Sequence, residues 1–163
     1  MDGRDKKSKK PSVTNSRPPE EVTFFVDASL GGKIIGEALR GAGARIELHN
    51  DHFPQGTPDA IWLKEVGAHN WVVLTKDDKI RYHELERQTL LSAGVRAFVL
   101  TAKGLRGMEN AQIFVEALPA IYRFLNRQSG PFIAKVTRGA DVVLLKLPEH
   151  KKRRRKKTTQ RDS

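Results

Sequence analysis

Cysteine is absent from this chain of 163 residues. Disulfides, thiolate zinc centres and a cysteine nucleophile are therefore excluded. Long apolar runs are also missing: none approaches the roughly 18–20 residues of a membrane helix. The first residues are charged and lack the apolar core of a secretory signal. A cytoplasmic protein with no membrane partner is the expectation. The phosphate-loop pattern G-x-x-x-x-G-K-[ST] is missing around Gly31-Gly32. Ser29 lacks the G-x-S-x-G setting of a nucleophilic serine and reads instead as a helix N-cap. There is no internal repeat.

Positive charge is present in excess, with a net charge of +11, and it is unevenly placed. Residues 1–20 hold six Lys/Arg against three Asp/Glu, and residues 146–163 hold nine against two. Residues 21–145 hold fifteen against fourteen. The basicity belongs to the ends, so a nearly neutral body can house a local acidic site. The expected organisation is a disordered basic tail over 1–20, one domain over 21–147 and a second disordered basic tail over 148–163. In the second tail, Lys151, Lys152, Arg153, Arg154, Arg155, Lys156 and Lys157 form a handle for nucleic acid. Phosphates neutralised there release counterions, so binding depends strongly on salt. The same run is similar to a nuclear-import patch, and a solubilising tail is the plain alternative.

With 38% hydrophobic residues the body can bury a core. Val22–Asp27 is a short apolar run closed by an acid, which predicts a buried strand. Leu30, Ile34, Ile35, Ala38, Leu39 and Ala42 follow at helical spacing. Arg45–His49 reads as a second strand. Thr57-Pro58 signals a helix start, a capping hydroxyl before a proline. That helix runs to about Val66, with Ile61 and Trp62 inward. Trp71–Thr75 is the third strand, Lys79–Ser92 a helix and Val95–Leu100 the fourth strand. A long helix over Met108–Arg127 should kink at Pro119. Phe132–Thr137 and Val142–Leu147 read as a closing hairpin. This alternation predicts an α/β fold with a mainly parallel sheet between two helical layers. In such sheets, sites form beyond the carboxyl ends of the strands.

Asp27 ends the first strand, and Asp77 and Asp78 follow the third. Asp59 lies in the first turn of the helix that leads into the third strand, near the same edge. On a wheel of 100° per residue with Ile34 at zero, Glu37 falls at about −60°, at the border of the apolar stripe. It can lean toward the sheet edge or point to water. Converging carboxylates repel one another unless a cation is present, and hard oxygen ligands suit Mg²⁺ or Mn²⁺. Such ions promote phosphodiester hydrolysis. Each acid also has a plain reading: Asp59 favours the helix dipole, Asp77 or Asp78 caps a helix, and Glu37 is a flank residue.

Taken together, FFVDASLGGKIIGEALR, HNDHF, TPDAIWL and WVVLTKDDKIR resemble the PIN-like domains grouped with VapC-type toxins, over roughly residues 22–137. The resemblance implies a three-layer α/β/α sandwich and a metal-dependent ribonuclease site that leaves a 5′-phosphate. Position by position, it implies that Asp27, Glu37, Asp59 and Asp77 are the site acids and that Thr75 lines the site. Asp27, Asp59 and Asp77 would hold metal, with Asp78 ranked below them. It further implies an RNA substrate and a cognate antitoxin as partner; self-association into a homodimer is also allowed.

Lys79 and Arg81 follow the acids closely and are candidates for contact with RNA phosphate, against a solvated helix face. His49, Asp51 and His52 have the residue types of a metal site but no second ligand pair, so a loop on the rim of the site is the better reading. Trp62 and Trp71 read as core. Two rival functions stand beside the nuclease. One is a nucleic-acid-binding module without catalysis. The other is a phosphoacceptor, which would need paired acids at the end of the first strand, where this chain has one.

Overall fold

The computed structural model describes residues 22–145. Both predicted tails, with the Lys151–Lys157 run, lie outside the described residues. Six strands form one sheet: β1 (Thr23–Val26), β2 (Arg45–Leu48), β3 (Val72–Thr75), β4 (Arg96–Leu100), β5 (Phe132–Val136) and β6 (Val142–Leu144). Their order is β2-β1-β3-β4-β5-β6. The first five are parallel, and β6 closes the sheet antiparallel to β5.

Successive side chains of a strand point to opposite faces, and here both faces are apolar. Phe24, Val26, Val72, Leu74, Phe98 and Leu100 pack on one side. Two helices cover that side, α1 (Lys33–Gly41) and α6 (Gly107–Arg127). Phe25, Val73, Ala97, Val99 and Ile133 pack on the other. There they meet Trp62, Leu63 and Val66 of α3 (Asp59–Ala68) and Leu90 of α5 (Glu84–Ser92). Two single-turn helices, α2 (His49–His52) and α4 (Lys79–Tyr82), complete the set. The three-layer α/β/α sandwich with a closing hairpin is the architecture expected.

Several local expectations are corrected. The first helix does not start at Leu30. Gly31 and Gly32 take φ of 89° and 84°, a left-handed backbone that glycine adopts without steric cost. They separate a short 3₁₀ turn, Ala28–Leu30, from α1. Thr57 does not cap α3: its hydroxyl donates to the Pro54 carbonyl at 2.7 Å, and Pro58 occupies the N-cap position. Trp62 is buried as expected, but Ile61 is 55% exposed. The predicted helix over Lys79–Ser92 breaks at His83, whose backbone is extended. A regular helix would set Ile80 and Leu90 about 80° apart; with the break, both are buried in the same layer. The helix α6 continues through Pro119, which lies on the exposed side. Water can satisfy the ladder bond lost there.

Candidate active site

Strand order reverses at β1, with β2 on one side of it and β3 on the other. At such a switch point the connections leave in opposite directions and open a crevice beyond the carboxyl ends. Asp27 follows β1 there, and Thr75 ends β3. The pairing of Val26 with Leu74, extended by the Asp27 N–H donating to the Leu74 carbonyl at 2.9 Å, sets them side by side. Asp27 is 6% exposed and Thr75 1%. The Thr75 hydroxyl donates to Asp27 Oδ2 at 2.7 Å, and so does the Ser29 hydroxyl. In turn, Thr75 Oγ1 accepts the Asp77 N–H at 3.0 Å, and Ser29 Oγ accepts the Lys76 N–H at 3.2 Å. Ser29 is thus a strut of this corner rather than the N-cap expected of it.

Asp59 comes from the other direction, as the first residue of α3. Trp62, three residues on and so on the same helical face, donates its indole N–H to Asp59 Oδ1 at 3.0 Å. Asp77 Oδ1 accepts the Lys79 N–H at 3.0 Å. Each of the three carboxylates therefore commits one oxygen to a fixed donor. The second oxygens of Asp59 and Asp77 face the Lys79 ammonium, at 3.9 and 3.5 Å. Among the described residues no donor reaches Asp27 Oδ1.

Asp27, Asp59 and Asp77 line one cleft of about 530 Å³, with Ser29, His49 and Lys79. Burial raises the pKa of Asp59. The Lys79 charge and the Trp62 hydrogen bond oppose that rise, and the charges of Asp27 and Asp77 add to it. Lys79 is raised in turn, first by Asp59 and then by Asp77. By formal charge, four carboxylates line this cleft, those of Asp27, Asp59, Asp77 and Glu86, against the one ammonium of Lys79. Among the described residues, no group of three or more His, Asp or Glu side chains stands close enough to hold a metal ion. The donor set nevertheless fits a hard divalent cation: anionic oxygens, partly desolvated, each carboxylate oriented through its other oxygen.

Two expected acids do not line this cleft. Asp78 faces Arg81 at 3.5 Å and Lys103 at 3.0 Å. Arg81 is held by Asp78 and lies over the Tyr82 ring at 4.8 Å. Of the two basic residues expected near phosphate, only Lys79 lines the cleft. Glu37 is exposed on α1 and lines a different groove, with Ile34, Ala38 and Met108. Ile34 and Glu37 share the uninterrupted helix α1, and of the two orientations that the border of the apolar stripe allowed, Glu37 takes the one facing water. The HNDH stretch is a helical turn rather than a loop, and its histidines part company. His52 bonds Glu47 at 2.7 Å, whereas His49 lines the cleft. The roles of Ser29 and of the Trp62 N–H were not read from sequence. The i,i+3 spacing of Asp59 and Trp62 was the available signal for the second.

A family model described as "PIN like domain" matches residues 22–102, a span that includes Asp27, Asp59 and Asp77. A Mycobacterium tuberculosis protein named "Putative ribonuclease VapC45" is 33% identical over 117 residues, covering 69% of this chain and 84% of that protein. No solved structure matches the chain.

Proposed function

The chain belongs to the PIN-like domain family, and from that premise we propose that it is a metal-dependent endoribonuclease, the toxin of a toxin–antitoxin pair. The observation that carries this reading is the meeting of Asp27, Asp59 and Asp77 on one cleft at the switch point of the sheet. The name of the mycobacterial relative supports RNA as the substrate. Asp27, Asp59 and Asp77 would hold Mg²⁺ or Mn²⁺. When bound, such an ion supplies activation of water and neutralisation of phosphate charge for hydrolysis of the phosphodiester bond, leaving a 5′-phosphate.

The protein's own part is orientation. Ser29 and Thr75 fix Asp27, Trp62 fixes Asp59, and the Lys79 N–H fixes Asp77. With Asp27, Asp59 and Asp77 holding the ion, Lys79 would be placed to contact a substrate phosphate at the same cleft. The basic run from Lys151 to Lys157 would hold the RNA outside the cleft. A cognate antitoxin is the expected protein partner, and the cytoplasm the expected place of action. Among the described residues no helix is long and apolar enough to cross a membrane.

A second reading, a nucleic-acid-binding module without catalysis, draws on one observation: Lys79 already bridges Asp59 and Asp77. Incubation with end-labelled RNA separates the two. The nuclease reading expects cleavage with Mg²⁺ or Mn²⁺, none with chelator, and none by Asp77→Asn. Binding without cleavage under every metal condition would leave only the second reading.

A further inference from the structure

We propose that His49 is a substrate-binding residue of the acid cleft, its imidazole donating a hydrogen bond to a phosphate oxygen of the RNA strand. This rests on the ribonuclease reading above. His49 begins α2, directly after β2, and lines the cleft beside Asp27 and Asp59. It is 4% exposed. Its Nδ1 is buried without a partner, and among the described residues the ring makes no hydrogen bond. Buried polar groups are nearly always satisfied, because an orphaned one keeps its full desolvation cost. The neighbouring His52 follows that rule through Glu47; among the described residues the other buried side-chain atom without a partner is Asn110 Oδ1 on α6, away from the cleft.

The ring is also held in place. Its centroid lies 5.9 Å from that of Phe25, 5.5 Å from Phe53 and 5.8 Å from Trp62, the last in an edge-on contact. Trp62 is the residue that orients Asp59. Nδ1 is closed off from the surface, so the nitrogen left to meet a ligand from the cleft is Nε2, which has no hydrogen-bond partner among the described residues on a ring held by three aromatic neighbours. A phosphate oxygen suits it best: hydrogen bonds to charged acceptors are the strong ones, and a neutral or protonated imidazole can donate. Metal ligation suits it less, since hard divalent ions favour oxygen donors.

The test uses the full chain and a short single-stranded RNA, with affinities measured in an Asp77→Asn background so that no strand is cut. His49→Phe keeps the aromatic packing and removes the donor. It is expected to weaken RNA affinity about tenfold, while Mn²⁺ uptake by the otherwise unaltered chain stays as in the parent and thermal stability is equal or higher. His49→Gln, which restores a donor, is expected to recover affinity. His49→Met is the second apolar variant should Phe not fold. RNA affinity unchanged in the apolar variants would make His49 a packing residue, and lost Mn²⁺ uptake would make it a metal ligand. Failure of Gln to recover affinity would remove the hydrogen bond. Each of these overturns the proposal. A parent that binds RNA through His49 but never cleaves it would overturn the ribonuclease reading and leave this one standing.

Discussion

Two concavities of nearly equal size open on this domain, and they differ in almost everything but volume. The acid cleft, about 530 Å³, lies beyond the carboxyl ends of β1 and β3. The groove between α1 and α6, about 580 Å³, is lined by Ile34, Ala38, Met108, Ala111 and Val115, with Glu37, Glu109 and Gln112 on its sides. In the cleft Asp27, Asp59 and Asp77 are each oriented by a fixed donor, and the Lys79 ammonium faces two of them. In the groove Glu37 is solvated, and Glu109 only closes the start of α6 by accepting the Arg106 N–H at 2.8 Å. The difference teaches that a site is recognised by what its side chains are prevented from doing. Oriented carboxylates that share one cleft point to a missing cation, whereas a carboxylate in water points to nothing.

The strongest way to break this contrast is to remove a cleft carboxylate. Asp27→Asn keeps the shape and deletes the charge, and it is expected to lower RNA cleavage by at least about 100-fold. Retained cleavage in a timed gel assay would place the chemistry elsewhere. Next comes Trp62→Phe, which keeps the ring and removes the donor to Asp59. Loss of such an outer partner weakens metal binding by about 10-fold or more, so calorimetric titration should report weaker Mn²⁺ binding with the fold intact.

A pH series sharpens the comparison further. Burial raises Asp59 above its ordinary value of 3.8, so its proton competes with the ion at a higher pH than an exposed aspartate's would. Mn²⁺ uptake should fall on acidification while the pH is still above 3.8; uptake held constant down to that pH would contradict the burial argument. The sign for stability runs the other way. The native state binds the extra proton, so Asp59 favours the metal-free fold at low pH, and that contribution is lost as pH rises through the raised pKa. The smallest effect belongs to the groove. Glu37→Gln should leave cleavage within about twofold of the parent, as for a surface substitution with no fixed partner. A large loss there would return Glu37 to the site.

The layers were legible because the strands are apolar on both faces and the helices between them have a clear period. The same reading found Asp27, Asp59 and Asp77, since each is tied to an element end that the topology sends to one edge. The helical wheel left Glu37 at the border of the apolar stripe, and only the resemblance set it among the site acids; in the structure it is exposed and lines the groove with Met108. Asp78 differs from Asp77 by one position, yet it turns to a local partner, Arg81, and a long-range one, Lys103. Ser29 could not be assigned to Asp27 and Thr75 from sequence, because its hydrogen bond to Thr75 spans 46 positions. Local signals mark the elements and the donors of Asp59 and Asp77, whereas the bonds that join the β1 end to the β3 end through Thr75 and Ser29 are non-local.

The central claim is that Asp27, Asp59 and Asp77 share a divalent cation. Isothermal titration of Mn²⁺ into the metal-stripped chain, beside Asp59→Asn, tests it most directly. The account predicts saturable uptake by the parent that Asp59→Asn abolishes or greatly weakens. No uptake by the parent, or equal uptake by both proteins, would contradict it.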